Sequence, residues 1–171
     1  MANMSIDNLK NNLSNPARTY LWDVIIPRIV GEGDSDVLML RCQSANIPGR
    51  SVGEILVPYK QSAGVKYPGK LTYPHTWDCT FIEGEDKKIF DAIYSWEQQI
   101  INDVTNVGIG DILIKSDIYL KMLSTKGENY MNIRLIGCYP QDVGDIAVSY
   151  DDEASVMYPV TWSYDRWEEY S

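Results

Sequence analysis

Apolar and polar residues alternate through most of this chain, and a two-residue period predicts a protein built mainly of strands. From Thr19 onward, Tyr20, Trp22, Val24 and Ile26 fall on one face, with Leu21, Asp23 and Ile25 opposite. Pro27, or a residue soon after it, stops that strand. Residues 31–36 form a turn-forming acidic loop. Residues 37–43 read as a second strand, closed by Ile47-Pro48-Gly49, and residues 51–59 as a third, ended by Pro58. Gly64, Pro68, Gly69 and Pro74 then predict a long loop or an irregular hairpin over residues 60–74. Residues 76–83 alternate cleanly, with Trp77, Cys79 and Phe81 inward and Asp78 and Thr80 outward, as in a half-buried strand.

One segment has the helical period instead. After Gly84, with Asp86 as its cap, Ile89, Ile93, Trp96 and Ile100 fall at i, i+4, i+7 and i+11 and make one apolar stripe. The helix has about 16 residues at about 1.5 Å each, long enough to plug one open end of a barrel. Residues 112–123 and 130–138 read as two strands around the hairpin signal Lys126-Gly127-Glu128-Asn129. Residues 139–145 turn the chain, and 146–150 read as a short strand. Residues 155–167 close the chain with strict alternation, Val156, Tyr158, Val160, Trp162 and Tyr164 forming one buried face. The sum is about seven or eight strands and one helix. That predicts a mainly β fold, a small barrel or sandwich flanked by a helix, over residues 18–171. Residues 1–17, polar and Asn-rich, form an N-terminal arm ahead of it.

Charge narrows the partners. The chain of 171 residues carries a formal net charge of −9 and has no basic stripe, so gripping nucleic acid through its phosphates is not its chemistry. A negative wall past which DNA slides without sticking is compatible with that balance. Cys42, Cys79 and Cys138 each sit inside an apolar run, without the spacing of a zinc knuckle or a redox pair. They read as buried free thiols of a reducing compartment. The first residues lack the basic-then-apolar pattern of an export signal, and no apolar run approaches the length of a membrane span.

Candidate chemistry is thin. Gly64-Val65-Lys66-Tyr67-Pro68-Gly69-Lys70 satisfies G-x-x-x-x-G-K, but Leu71 stands where Ser or Thr must hold magnesium, and an extended, Pro-broken segment follows. The glycines read as loop residues. His75 is the only histidine, which excludes paired-His zinc sites, and no G-x-S-x-G elbow exists. The carboxylate pairs fall in turns without the calcium-loop pattern. No cofactor, metal or catalytic residue is expected. A small β-barrel enzyme or carbohydrate-binding module, using the Trp and Tyr face or a carboxylate pair, is the competing reading from another class.

The order of the pieces carries more than any one of them. Arg18-Thr19-Tyr20-Leu21-Trp22-Asp23-Val24 opens the first strand, and Arg41-Cys42-Gln43-Ser44-Ala45-Asn46-Ile47-Pro48-Gly49 follows the second. Gly69-Lys70-Leu71-Thr72-Tyr73 then introduces Trp77-Asp78-Cys79-Thr80-Phe81, ahead of the helix with Ile93, Trp96 and Ile100. The close is Gly137-Cys138-Tyr139-Pro140, Ile146, Ser149-Tyr150-Asp151, then Val160-Thr161-Trp162-Ser163-Tyr164-Asp165-Arg166-Trp167. From about Asn15 to Tyr170 this set resembles the tail tube protein family of contractile-tailed bacteriophages, itself similar to the tube protein of type VI secretion.

The resemblance implies a subunit that closes with five others into a ring, rings that stack into a tube, and genomic DNA passing through the bore unbound. It implies self, tail sheath, baseplate and tail-terminator proteins as partners, and a place in the virion tail after assembly in the bacterial cytoplasm. By the same resemblance the segment with Tyr59, Lys60, Val65, Lys66, Tyr67 and Lys70 reaches a neighbouring ring or subunit. Asp117 and Lys121 share one face of a strand that could line the lumen. Part of the acidic surplus would face that lumen. A baseplate or tail-end adaptor of the same fold, or the tube of a phage-derived injection particle, fits the same residues.

Overall fold

The computed structural model describes residues 6, 10, 13, 15–27, 35–60, 62–105, 107–108, 114–151 and 153–171. Most of the acidic loop at 31–36 and the start of the strand expected from residue 112 lie outside them.

The alternation at residues 76–83 becomes β5 (Thr76–Ile82), with Trp77, Cys79 and Phe81 buried and Asp78 exposed. β5 pairs with β8 (Met157–Ser163) on one side and with β2 (Cys42–Ala45) on the other. β8 pairs in turn with the second half of β7 (Asn129–Val143). The first half of β7 lies between β6 (Ser116–Leu123) and β9 (Arg166–Glu169), and β1 (Trp22–Ile25) pairs with β6. All these pairs are antiparallel. The sheet order is therefore β1-β6-β7-β8-β5-β2, with β9 also on β7.

The long strand β7 turns this sheet over on itself. Its partner strand breaks at Tyr164-Asp165, between β8 and β9, and β7 bends opposite that break at Gly137-Cys138. Gly137 adopts φ +71°, and a Cβ there would collide with the Asp165 carboxylate. Two half-sheets result, β1-β6-β7-β9 and β7-β8-β5-β2, and they bury Leu120, Ile133, Leu135, Val160 and Trp162 between them and the helix. That helix, α2 (Lys88–Ile100), buries Ile89, Ile93 and Trp96, as its period predicts. Trp96 donates its indole N–H to Ile114 O at 2.8 Å and meets Trp162 edge-on.

The mainly β fold with a flanking helix matches the reading of the sequence, but the barrel is open. Among the described residues β1 and β2 each have one sheet partner, and no strand closes the cylinder between them. Other expectations need correction. Residues 37–41 are not strand: α1 (Ser35–Arg41) runs into β2, which holds only Cys42 and Gln43 of the expected strand, and α1 buries Leu38 and exposes Leu40. The run Val37-Leu38-Met39-Leu40 has no period of two, and Leu and Met favour helix. The third strand has the expected bounds and ends one residue past Pro58. β3 (Ser51–Tyr59) passes through it at a register shift, where the missing N–H removes no ladder bond.

The turn placed at 139–145 is strand as far as Val143. Pro140 is tolerated because that half of β7 is a sheet edge. Residues 146–150 have no strand partner, and Val156 is exposed rather than part of the buried face. Cys42 is half-buried, unlike Cys79 and Cys138. Burial pushes both inner thiols up, Cys138 to about 12, so they pack as inert apolar groups.

Asp86 does not cap α2. The residue before the helix is Lys87, at φ 54°, and no side chain bonds at the cap position. Glu83 serves the helix start instead, its carboxylate accepting the N–H groups of Ile89 (3.3 Å) and Phe90 (2.7 Å). Asp86 is held by Arg41 of α1 through two bonds of 2.7 and 2.6 Å. That clasp ties α1 to the start of α2 and holds the Asp86 carboxyl at about 2, below its usual 3.8. A depressed carboxyl contributes stability above its unfolded value and loses it as the pH falls through the folded one. The melting-temperature difference between the unaltered chain and Asp86→Asn is therefore expected at about pH 6 and should shrink between about pH 4 and pH 2. Thermal melts across that range check it.

Candidate assembly surface

The segment expected as a long loop or irregular hairpin is a two-stranded ribbon, β3 against β4 (Ser62–Thr72). Tyr59 pairs with Ser62 at its tip, where Lys60 takes φ 47°. Cross-strand partners share a face, so Ile55 with Tyr67 and Val57 with Val65 make one side apolar. Glu54, Leu56, Lys66 and Pro68 make the other, with Lys66 Nζ 2.8 Å from Glu54 Oε2. All nine residues of β3 are exposed. On the apolar side Ile55 keeps 56% of its surface open, Val57 48%, and Val65 and Tyr67 55% each. An uncovered two-stranded ribbon is marginal in water, and neither face of this one packs on the core.

The glycines of the G-x-x-x-x-G-K string explain themselves here. A Cβ on Gly64 would sit 2.7 Å from Val57 O, and one on Gly69 would sit 2.9 Å from the backbone carbon of Gly53. Both allow close strand approach beside register shifts, and neither opens a phosphate cradle. They are strand residues, not the loop residues the sequence suggested. His75 is exposed, its Nδ1 3.2 Å from Tyr164 O, and among the described residues no group of His, Cys, Asp and Glu could hold a metal ion.

The ribbon is rooted firmly. Tyr73 meets Trp167 edge-on, Arg50 lies 5.2 Å over the Trp167 ring, and the Trp167 indole donates to Gly49 O at 3.1 Å. Of the residues singled out from sequence, Val65 and Tyr67 share the apolar face and Lys66 lies on the opposite one. Tyr59 and Lys60 form the tip, with Lys60 Nζ 5.5 Å above the Tyr59 ring, and Lys70 stands nearer the root. Ile55 and Val57 were missed. Their alternation in β3 was readable, but a sequence does not say that a strand lacks a covering layer.

Asp117 and Lys121 do share the outer face of the half-sheet β1-β6-β7-β9, with Tyr119 between them. Asp117 is an anchor as well, accepting Arg134 at 2.6 Å and the Gly137 N–H at 3.0 Å at the bend of β7. Its hydrogen bond raises the Arg134 guanidinium further. On this face Asp23, Asp117 and Glu168 stand with Lys121, Arg134 and Arg166, so the charges balance.

The gap between β1 and β2 is a cleft of ≈ 190 Å³ lined by Thr19, Trp22, Asn46, Ile47 and Met122 among others. The root of the arm sits elsewhere: Asn15 donates to the Thr125 hydroxyl at the β6–β7 turn, 2.9 Å away.

Gly69→Val is expected to force β3 and β4 apart while leaving the core alone. The thermal midpoint should move by no more than about 2 °C, whereas trypsin should cut at Lys60, Lys66 and Lys70 markedly faster. Proteolysis and melting of the same sample check both.

Similar proteins agree with this geometry. No curated protein sequence matches. A chain in the tube-terminating cap of the anti-feeding prophage aligns at TM-score 0.68 and 17% identity, over 92% of each chain. A chain from the PVC sheath/tube terminator, an extracellular contractile injection system, aligns at 0.68 and 16%, over 92% of this chain and 98% of that one. A chain of the PVC sheath–tube complex reaches 0.67 and 15%, over 99% of both. At such identities the likeness is one of fold. The sequence pattern of the phage tail tube proteins matches residues 12–170, nearly the whole length, and the chain belongs to that family.

Proposed function

We propose that this chain is the repeating subunit of a contractile tail's inner tube, six copies closing a ring and rings stacking into a conduit through which DNA leaves. The observation that carries the reading is the β3–β4 ribbon, whose apolar side is half open to water and clear of the chain's own core. Such a surface calls for another copy to cover it. The free edges β1 and β2 offer a lateral route, since strand pairing between neighbours would complete the open sheet within a ring.

On this reading the face with Asp117 and Lys121 lines the bore. Arg134 is engaged by Asp117 and Glu168, and Arg166 by Glu168, so a passing phosphate meets two arginines that already have partners, with Lys121 opposite Asp23 in register. A balanced wall, rather than the acidic one expected from the net charge, would let DNA slide. The sheath would surround the tube, and baseplate and terminator proteins would meet its ends. The 1–17 arm and the C-terminal residues would supply contacts. The role is structural, without catalysis, in the assembled particle after assembly in the bacterial cytoplasm.

A second reading has its own support. Two of the similar structures are described as a tube-terminating cap and a sheath/tube terminator, so a single-ring adaptor of the same fold stands beside the repeating tube, as does the tube of a phage-derived particle. Electron microscopy of the purified chain separates them. Hollow filaments of six-fold rings are expected of the tube, isolated rings of a terminator. A monomer at all concentrations contradicts both.

A further inference from the structure

The ribbon and the most acidic stretch of the chain leave opposite ends of one strand. β5 begins at Thr76, just after the ribbon's root at Tyr73, and ends at Ile82. Beyond Ile82 the Glu83 N–H donates to Val156 O at 3.0 Å, fixing one end of the segment 144–156 that joins β7 to β8. The other end is fixed by the Gly144 N–H on Pro159 O at 2.9 Å. Seven strand residues at about 3.3 Å place the two features roughly 20 Å apart along the sheet.

Their charges are opposite. Residues 50–73 hold Arg50, Lys60, Lys66 and Lys70 against the single carboxylate of Glu54, within a chain of net charge −9. Residues 141–156 hold five carboxylates and no Lys or Arg. Several acids elsewhere are matched, Asp117 by Arg134, Asp165 by Lys115 and Asp86 by Arg41. Among the described residues no ion pair engages Asp142, Asp145, Asp151 or Glu153. Glu97 on the flank of α2 adds to that end; burial and then Asp142 push its carboxyl up. Val148 and Tyr150 stand exposed at the crest of the segment and offer apolar surface amid the acids.

We infer that copies stack head to tail, the cationic ribbon of one copy seating on the acidic segment 141–156 and the adjoining flank of α2 of the next. This rests on the reading of the ribbon as an inter-ring contact and names the surface that receives it. A contact between two different patches of identical chains either closes into a ring or propagates as an open stack, and patches at opposite ends of one strand direct it to the stack. Opposite charge at the two ends orients the approach and suppresses head-to-head and tail-to-tail pairing. Ile55, Val57, Val65 and Tyr67 meet Val148 and Tyr150, and the lysines flank them. With a screening length of about 8 Å at physiological salt, the steering acts at close range and weakens as salt rises.

Charge reversal of the full-length chain tests this, read by electron microscopy for filaments and light scattering for ring mass. K60E/K70E and D145K/D151K/E153K are each expected to form rings yet need at least about tenfold more protein to form filaments. Mixed one to one they should recover filaments, each reversed ribbon meeting a reversed acidic segment. Should either variant fail to fold, the milder K60Q/K70Q and D145N/D151N/E153Q give the same reading, as a weaker salt dependence of filament dissociation. Filaments indifferent to both sets, or lost with each and not recovered on mixing, overturn the head-to-tail seat and leave the tube reading standing. An unaltered chain that forms neither rings nor filaments overturns both.

Discussion

A two-stranded ribbon cannot bury both of its faces by itself, and among the described residues nothing covers the apolar face it extends. β3 and β4 satisfy each other's backbone, yet Ile55, Val57, Val65 and Tyr67 remain about half open to water. Glycine at 53, 64 and 69 keeps the two strands close, and Trp167 and Tyr73 hold the root. These features set the shape the ribbon takes once a neighbour covers it, while an uncovered two-stranded ribbon stays marginal on its own.

The rest of the fold serves as the platform. β7 is long enough to belong to both half-sheets, and its bend at Gly137 lets one hydrophobic core form between them. Asp117 holds that bend from β6 while presenting a charge-balanced outer face with Arg134. The Arg41–Asp86 clasp fastens α1 to the start of α2, so the helix that leads into β2 is tied down although β1 and β2 do not pair with each other. Open edges beside a rigid core fit the proposed ring: few internal degrees of freedom, and backbone groups left for a neighbour.

The parts of this fold legible in the sequence were those where one face is buried and the other wet. β5, β8 and α2 announced themselves because Trp77, Cys79 and Phe81, or Ile89, Ile93 and Trp96, must point one way. Where burial does not enforce a period, the reading failed. Val37 to Leu40 is continuously apolar and became helix, and Pro140 suggested a turn in a strand whose edge could spare a donor. Glu83 as the anchor of the helix start was hidden because its partners are backbone amides six and seven residues on. The residues of the ribbon were legible, but not that they stand uncovered. That is a property of what fails to pack on them, and no local pattern records it.

Hydrogen exchange of the backbone amides in β3 and β4 tests the account most directly, measured on dilute single subunits and on assembled protein. If neighbours complete the ribbon, residues 51–72 should exchange quickly in the dilute subunit and become strongly protected on assembly, while β5 and β8 are slow in both. Equal, high protection of the ribbon in the isolated subunit would contradict it, since the strands would then be stable without any partner.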